Sequence, residues 1–380
     1  MQPSVSVVLP CLDEIETVGE TVREACVALA EAAVDGEVIV ADNGSRDGSQ
    51  DAAAAAGARV VSVEKRGYGA AYLGGFASAH GDVIVMADAD ATYDLAAIGP
   101  MLERIRAGDE LVMGSRLKGR IEPGAMPGLH RYVGTPLLTW LLNLLYRTGV
   151  SDTQCGMRAF RRDVLPRLRL RMPGMEFASE MIVNAARARL RVSEVPVNYR
   201  ARKGESKLHT LRDGWRHLRF LLIYSPTALF LVPGLVLFML GLLLVLALLP
   251  GPLHLAGYFL DIHWMVLGSL FALVGFQIVA LGLAAKALAV ALEIQPIDAT
   301  LASFRRVFTL ERGLAFGLLL FLAGFAVDLW IAARWFASGL GALNEVRPAL
   351  FSLTAMLLGM QLAFASFFVS AIDLHAGEPG

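Results

Sequence analysis

The chain divides by the rhythm of its apolar positions. Up to about residue 225 they come in short bursts between polar turns; beyond it they run on almost unbroken. Val5–Pro10, Glu37–Asp42, Arg59–Val63, the run opening at Val83 and Glu110–Ser115 read as strands. Between the first two, Ile15, Val18, Val22, Ala25, Cys26 and Leu29 recur at helical spacing. Ser45–Ala56, the small-residue stretch Gly69–Ala79 and Asp94–Arg106, capped by Asp94, read as further helices. Strands alternating with helices predict an α/β domain, a mostly parallel sheet covered on both faces.

The second half predicts something else. Segments 226–249, 262–285, 313–333 and 349–372 are each apolar over about 20 residues or more, enough to cross hydrocarbon as helices. The expected organisation is therefore a domain over 1–225 and an all-α domain of four spans over 226–380. The loop before the second span lacks Lys and Arg, whereas the next carries Lys286, Arg305, Arg306 and Arg312, and Arg212, Arg216 and Arg219 precede the first span. That bias predicts a multi-pass protein of the cell inner membrane with residues 1–225 in the cytoplasm; Arg334 and Arg347 oppose it without reversing it. Two shorter stretches, 128–147 with Trp140 and Tyr146, and 208–224 with Trp215, suit the membrane interface.

Composition agrees. At 55% hydrophobic and 18% charged the chain is too apolar for an ordinary soluble domain. A net charge of −1 provides no field to recruit nucleic acid. Cys11, Cys26 and Cys155 are odd in number and form no Cys-x-x-Cys, which fits a reducing compartment. No basic stretch followed by an apolar core opens the chain, so no cleavable signal is expected.

Open α/β sheets bind ligands beyond the carboxyl ends of their strands. Polar residues gather at those ends: Pro10 to Glu14 after the first strand, Asp42-Asn-Gly-Ser45 after the second, and Asp88 and Asp90 after the fourth. Carboxylates one residue apart suit a hard divalent cation, which takes oxygen ligands and keeps places for substrate phosphates. Gly67-Tyr-Gly69 opens a helix and leaves room for a ligand to approach backbone. The absence of Gly-x-Gly-x-x-Gly after the first strand and of any Gly-Lys-Ser/Thr disfavours a dehydrogenase and a P-loop enzyme.

Three runs, Val7-Val-Leu-Pro-Cys-Leu-Asp-Glu14, Val40-Ala-Asp-Asn-Gly-Ser-Arg-Asp-Gly-Ser49 and Ala87-Asp-Ala-Asp90, resemble the family 2 glycosyltransferases of GT-A fold. Met113-Gly-Ser-Arg116, Asp152-Thr-Gln-Cys-Gly-Met-Arg158 and Arg202-Lys-Gly-Glu-Ser-Lys207 resemble the dolichol-phosphate mannose synthase and polyprenyl-phosphate glycosyltransferase branch, some of whose members carry four C-terminal spans. The resemblance implies that Pro10, Glu14, Asp42, Ser45 and Asp88, with Gly67, hold a nucleotide-sugar. It implies Mg²⁺ or Mn²⁺ at Asp88 and Asp90, and a catalytic set of Asp90, Asp152 and Arg116. It implies Arg116, Arg158, Arg202 and Lys207 around phosphates, including that of a polyprenyl-phosphate acceptor at the bilayer. Asp152 aligns with a position often proposed as base, yet a phosphate with a second pKa of about 6 is already ionised at neutral pH and needs none. The expected activity is inverting transfer of the sugar to that lipid. A homo-oligomer is compatible with all of this. The rival readings are a processive polysaccharide synthase, which would carry a Gln-x-x-Arg-Trp run absent here, and a transporter or flippase that senses nucleotide-sugars.

Overall fold

The computed structural model describes residues 4–203, 215, 219–220, 224–225, 227–255, 257–291, 297, 299–307 and 309–375. The chain forms two compact units, Met1–Leu221 and Leu222–Gly380.

In the first unit, β1 (Val5–Cys11), β2 (Gly36–Asp42), β3 (Arg59–Ser62), β4 (Val83–Met86), β5 (Leu111–Ser115), β6 (Arg158–Arg161) and β7 (Val192–Pro196) form one sheet in the order β3-β2-β1-β4-β6-β5-β7. All neighbours run parallel except β6, which is antiparallel to both β4 and β5. The period-two alternation of the strands divides the core. Val5, Val7, Leu9, Val38, Val40 and Val85 pack beneath α1 (Val18–Glu31) and α4 (Ile98–Arg106). Val8, Ile39, Ala41, Ile84 and Met86 face α3 (Tyr68–Ser78) and α7 (Phe177–Arg187). Short α2 (Ser49–Ala55), α5 (Thr135–Tyr146) and α6 (Leu165–Leu168) also belong to the unit.

The helix expected from Ser45 starts at Ser49 instead. Asp42 accepts from the Gly44 and Ser45 amides and Asp47 from the Ser49 amide, so turns form where the apolar pattern suggested a first helical turn. Asp94 caps as expected, its carboxylate accepting from Ala96 N, but the helix opens with a 3₁₀ turn over Leu95–Ala97.

Glu37 on β2 ties that strand to both of its neighbours. It accepts from Ser6 Oγ on β1 at 2.8 Å, from Arg59 on β3 at 2.6 Å and from His80 N at 2.9 Å. Burial opposes its charge, but these donors prevail and hold its carboxyl down at about 2. A folded-state value below the unfolded one gives stability that is complete above about pH 4.5 and lost as pH falls toward 2. Glu37→Gln is expected to remove about 1–2 kcal/mol of that acid-sensitive stability, read from denaturant midpoints between pH 5 and 2.5.

Among the described residues the second unit contains four helices long and apolar enough to cross a membrane: Thr227–Leu248, Ile262–Ala291, Leu310–Ala337 and Val346–Ile372. We label their α-helical parts α8 (Val232–Leu248), α9 (Ile262–Ala291), α11 (Leu310–Ala337) and α12 (Val346–His375); α10 (Ala299–Val307) lies between the second and third. A ribbon of β8 (Leu253–Leu255) and β9 (Tyr258–Leu260) joins α8 to α9. Hydrocarbon does not push apolar helices together, so association rests on close packing, and small residues permit it. Gly234 and Gly241 on α8 oppose Gly275 and Gly268 on α9; a Cβ at Gly275 would lie 2.3 Å from Phe238 N. Gly317 and Gly359 play the same part between α11 and α12. Gly275→Leu should separate α8 from α9 and cost about 1–3 kcal/mol, measured as a lowered unfolding midpoint in detergent.

Candidate functional site

Where the strands end decides which residues meet. Arg158 opens β6 and pairs with Met86 on β4 and Met113 on β5. Because β6 runs against both, its start lies beside their carboxyl ends. The loop 152–157 therefore reaches the acidic residues after β4 and Arg116 after β5.

Sheets of this kind take ligands in a crevice beyond such strand ends, and Asp88 and Asp90 follow β4 at that edge. Ala91 turns the chain just afterwards with φ of 55°, a left-handed conformation uncommon for a residue with a side chain. Asp90 Oδ1 accepts from Thr92 N at 3.1 Å and Thr92 Oγ1 at 2.6 Å, which fixes the carboxylate. Asp88 Oδ1 accepts from the hydroxyls of Tyr68 at 2.9 Å and Tyr72 at 3.3 Å on α3. Gly156 makes room for the other oxygen: a Cβ there would stand 2.8 Å from Asp88 Oδ2. Burial, then the charge of Asp90, pushes the Asp88 carboxyl up to about 7.

Across the crevice, Arg202 Nη2 donates to Glu14 at 2.6 Å, and Nη1 lies 3.3 Å from Asp90 Oδ2. Its Nε is buried without a partner among the described residues. One guanidinium thus partly offsets two acids beside a third whose charge burial opposes. That donor set fits a hard cation. Among the described residues no group of three or more His, Cys, Asp or Glu is arranged to hold a metal. A divalent ion here would take one or two carboxylates and complete its shell with substrate oxygens and water, as Mg²⁺ commonly does.

Arg116 and Asp152 form a different kind of pair. Asp152 is fully buried; its Oδ2 accepts from Arg116 Nε at 2.7 Å and its Oδ1 from Nη2 at 2.9 Å. The Arg116 amide adds a third bond, and the guanidinium lies over the Tyr199 ring, 5.3 Å from its centroid. Glu194 on β7 holds the loop from beneath by accepting from Ser151 N and Asp152 N. Arg158 departs from the phosphate-binding role its motif implied. It is fully buried, and Nε, Nη1 and Nη2 donate to the carbonyls of Cys155, Ala178 and Thr153. It braces the loop against α7. Lys207 lies outside the described residues, as does most of 208–224. Glu180 on α7 is buried and accepts from Arg171 N and Met172 N.

On the nucleotide side the loops are tied to one another. The Asp42 carboxylate is buried and accepts from Gly44 N, Ser45 N and Gln50 Nε2. Ser45 Oγ accepts from Asp13 N at 2.9 Å, joining the loops after β1 and β2. Pro10 lies beside Ala41 near the end of β1. Gly67 meets a nearer demand than a ligand: its φ is 132°, and a Cβ would fall 2.2 Å from Pro173 O. Asn43 ties the loops after β2 and β3 together. Its side chain donates to the Val63 and Lys65 carbonyls and accepts from Gly67 N. Tyr68 and Tyr72 stand one turn apart on α3, and that i, i+4 spacing is the only sign in the sequence of their shared role.

Helix α5 connects this site to an apolar surface. Thr135, Thr139 and Leu142 point inward, and Thr139 Oγ1 meets Thr153 Oγ1 at 3.0 Å in the Asp152 loop. Leu129, Val133, Leu137, Trp140 and Leu144, at helical spacing on α5 and the turn before it, are each more than half exposed. An ordinary core helix would cover that stripe.

Residues 6–169 match the family described as glycosyl transferase family 2, and residues 283–373 match the glycosyltransferase family 2 C-terminal transmembrane region. The low-salt glycan biosynthesis hexosyltransferase Agl6 of Haloferax volcanii is 39% identical over 97% of this chain and 89% of its own length. The dolichyl-phosphate hexose transferase of the same organism is 33% identical over 47% of this chain and 76% of its own. Among solved structures, glucosyl-3-phosphoglycerate synthase from Mycobacterium tuberculosis, in complex with Mn²⁺, uridine diphosphate and glucosyl-3-phosphoglycerate, aligns with a TM-score of 0.48 at 24% identity, covering 59% of this chain and 80% of that one.

The buried pair can be tested apart from activity. Asp152→Ala strands the Arg116 charge and should cost the first unit about 3–5 kcal/mol, whereas Arg116→Met combined with Asp152→Leu should recover most of the loss in thermal unfolding.

Proposed function

The chain belongs to the family 2 glycosyltransferases, and on that premise we propose that it moves a sugar from a nucleoside-diphosphate donor to a polyprenyl phosphate with inversion. It is a multi-pass membrane protein with four candidate spans. The proposed product is a polyprenyl-phosphate sugar, made on the cytoplasmic side of the inner membrane.

The observation that carries this reading is the state of Asp152. A hydroxyl acceptor needs a base to take its proton. Asp152 is buried and bound at both oxygens by Arg116. An acceptor that arrives ionised suits such a site, and a phosphate monoester does so at neutral pH. The outward stripe on α5 supports a lipid-linked acceptor, because an apolar face with Trp140 and flanking Arg131 and Arg147 suits the headgroup boundary. Thr139 then couples that surface to the Asp152 loop.

In the proposed mechanism Pro10, Glu14, Asp42 and Ser45 shape the donor pocket; Asp42 and Ser45 act by setting the loops. Asp90 and Asp88 would hold Mg²⁺ or Mn²⁺, which supplies charge neutralisation for the departing diphosphate when bound. Tyr68 and Tyr72 orient Asp88. Arg202, released from Asp90 and Glu14, turns to phosphate oxygen, where a guanidinium binds in bidentate fashion. Arg116 keeps its positive edge beside the crevice while Asp152 fixes its direction. The acceptor oxygen attacks the anomeric carbon from the side opposite the leaving diphosphate.

Membranes containing the protein, incubated with a panel of labelled nucleotide-sugars and then extracted, should place label in the lipid fraction. Asp90→Ala should reduce that signal by about a hundredfold or more, as loss of a charge-stabilising group does. Label in a polymer instead would favour the processive synthase. Undiminished transfer by Asp90→Ala with chelator present would refute the metal assignment.

A further inference from the structure

Two glutamines lie where the hydrocarbon would be deepest. Gln277 is at the middle of Ile262–Ala291, and Gln361 is two residues, about 3 Å of helix rise, from the middle of Val346–Ile372. They meet across α9 and α12, Gln361 Nε2 donating to Gln277 Oε1 at 3.1 Å. This single bond leaves much unsatisfied. Gln361 Oε1 is buried with no partner among the described residues, and Gln277 is exposed on the helix surface. An amide carries two donors and an acceptor with two lone pairs. At this depth there is no water to meet them, and an open amide in hydrocarbon is costly. Exchanging O and N in either side chain changes which group is orphaned but not that one is.

The pair lies in a groove of about 490 Å³ between α9 and α12. Ala280, Ala284 and Ala365 form a low floor, while Phe364 and Phe368 stand up as exposed rims. Small residues four apart are what a membrane helix needs in order to approach another closely. A hydrocarbon chain would fill the groove but bring no hydrogen-bonding group to the amides.

We propose that this face is the contact between two copies of the chain, related by a two-fold axis along the membrane normal, with the exposed Gln277 amide of each copy pairing with the Gln277 amide of the other. Copies in one bilayer share orientation, so such an axis brings the same depth of each face together. An amide pair is its own complement, since it presents both donor and acceptor. The aromatic rims of one copy fit beside the alanine floor of the other.

The test uses the full chain in liposomes, with Cys26→Ser removing the exposed thiol. Ala280→Cys should form a disulfide-linked dimer under mild oxidation at least tenfold more readily than Leu322→Cys, which faces outward on α11. Adding Gln277→Leu and Gln361→Leu, both compatible with an apolar span, should lower that cross-linking about tenfold. Ala280→Phe, which fills the floor while keeping both glutamines, should lower the dimer fraction counted by single-molecule photobleaching. Equal cross-linking at the two cysteines, or an undiminished dimer in both the double-leucine and Ala280→Phe variants, would overturn the proposal. So would a monomer that carries a lipid by native mass spectrometry and loses it in the double-leucine variant, since the groove would then belong to lipid.

Discussion

The reversal of β6 is the constraint on which the site depends. Six of the seven strands point the same way, and an all-parallel sheet would present only strand ends and the loops that follow them. By running backwards between β4 and β5, β6 delivers the residues before it to the same edge. Gly156 can then lie against Asp88, and Asp152 can reach Arg116, although each pair is far apart in the chain. Arg158 at the turning point holds three carbonyls and keeps the loop from collapsing. A buried guanidinium spent on backbone looks wasteful until that loop is seen to carry the site.

Charge in the crevice comes in a fixed form and an exchangeable form. Arg116 and Asp152 are buried and bound twice, so separating them leaves an uncompensated charge in a poorly solvated place. Arg202 is more accessible, bridges Glu14 and Asp90, and lies 3.3 Å from the latter. The proposed cation and diphosphate would offer both sides better partners than they have now. Asp88 shows the need from the other direction, with its carboxyl pushed up to about 7 by burial and by Asp90. In the proposed function, donor and cation would complete a set of charges that the described residues leave unbalanced.

The membrane half follows different physics. Its helices cannot gain by hiding apolar surface from lipid, so glycines let backbones touch and a few polar side chains supply direction. Ser269 and Thr354 bond across α9 and α12 at 2.7 Å, and Ser352 donates to the Gly324 carbonyl. These are internal and satisfied. Gln277 and Gln361 differ because their partnership is incomplete and open to one side.

The sequence by itself determined the division into a sheet domain and four spans, because periodicity and continuous apolar length are local properties of the chain. It also identified the acid pair after β4 and the arginines of the later motifs, since motif residues keep their order whatever the fold does. What it could not supply was the use each side chain would find. Asp42 reads as a ligand and serves as a turn clasp; Arg158 reads as a phosphate contact and serves as a brace; Gly67 is glycine because Pro173 is near. Tyr68, Tyr72 and Asn43 acquire meaning only when α3 is laid beside the ends of β2 and β4. Hydrogen bonds and close contacts across the chain depend on geometry within a few tenths of an ångström, and only the folded structure fixes distances that small.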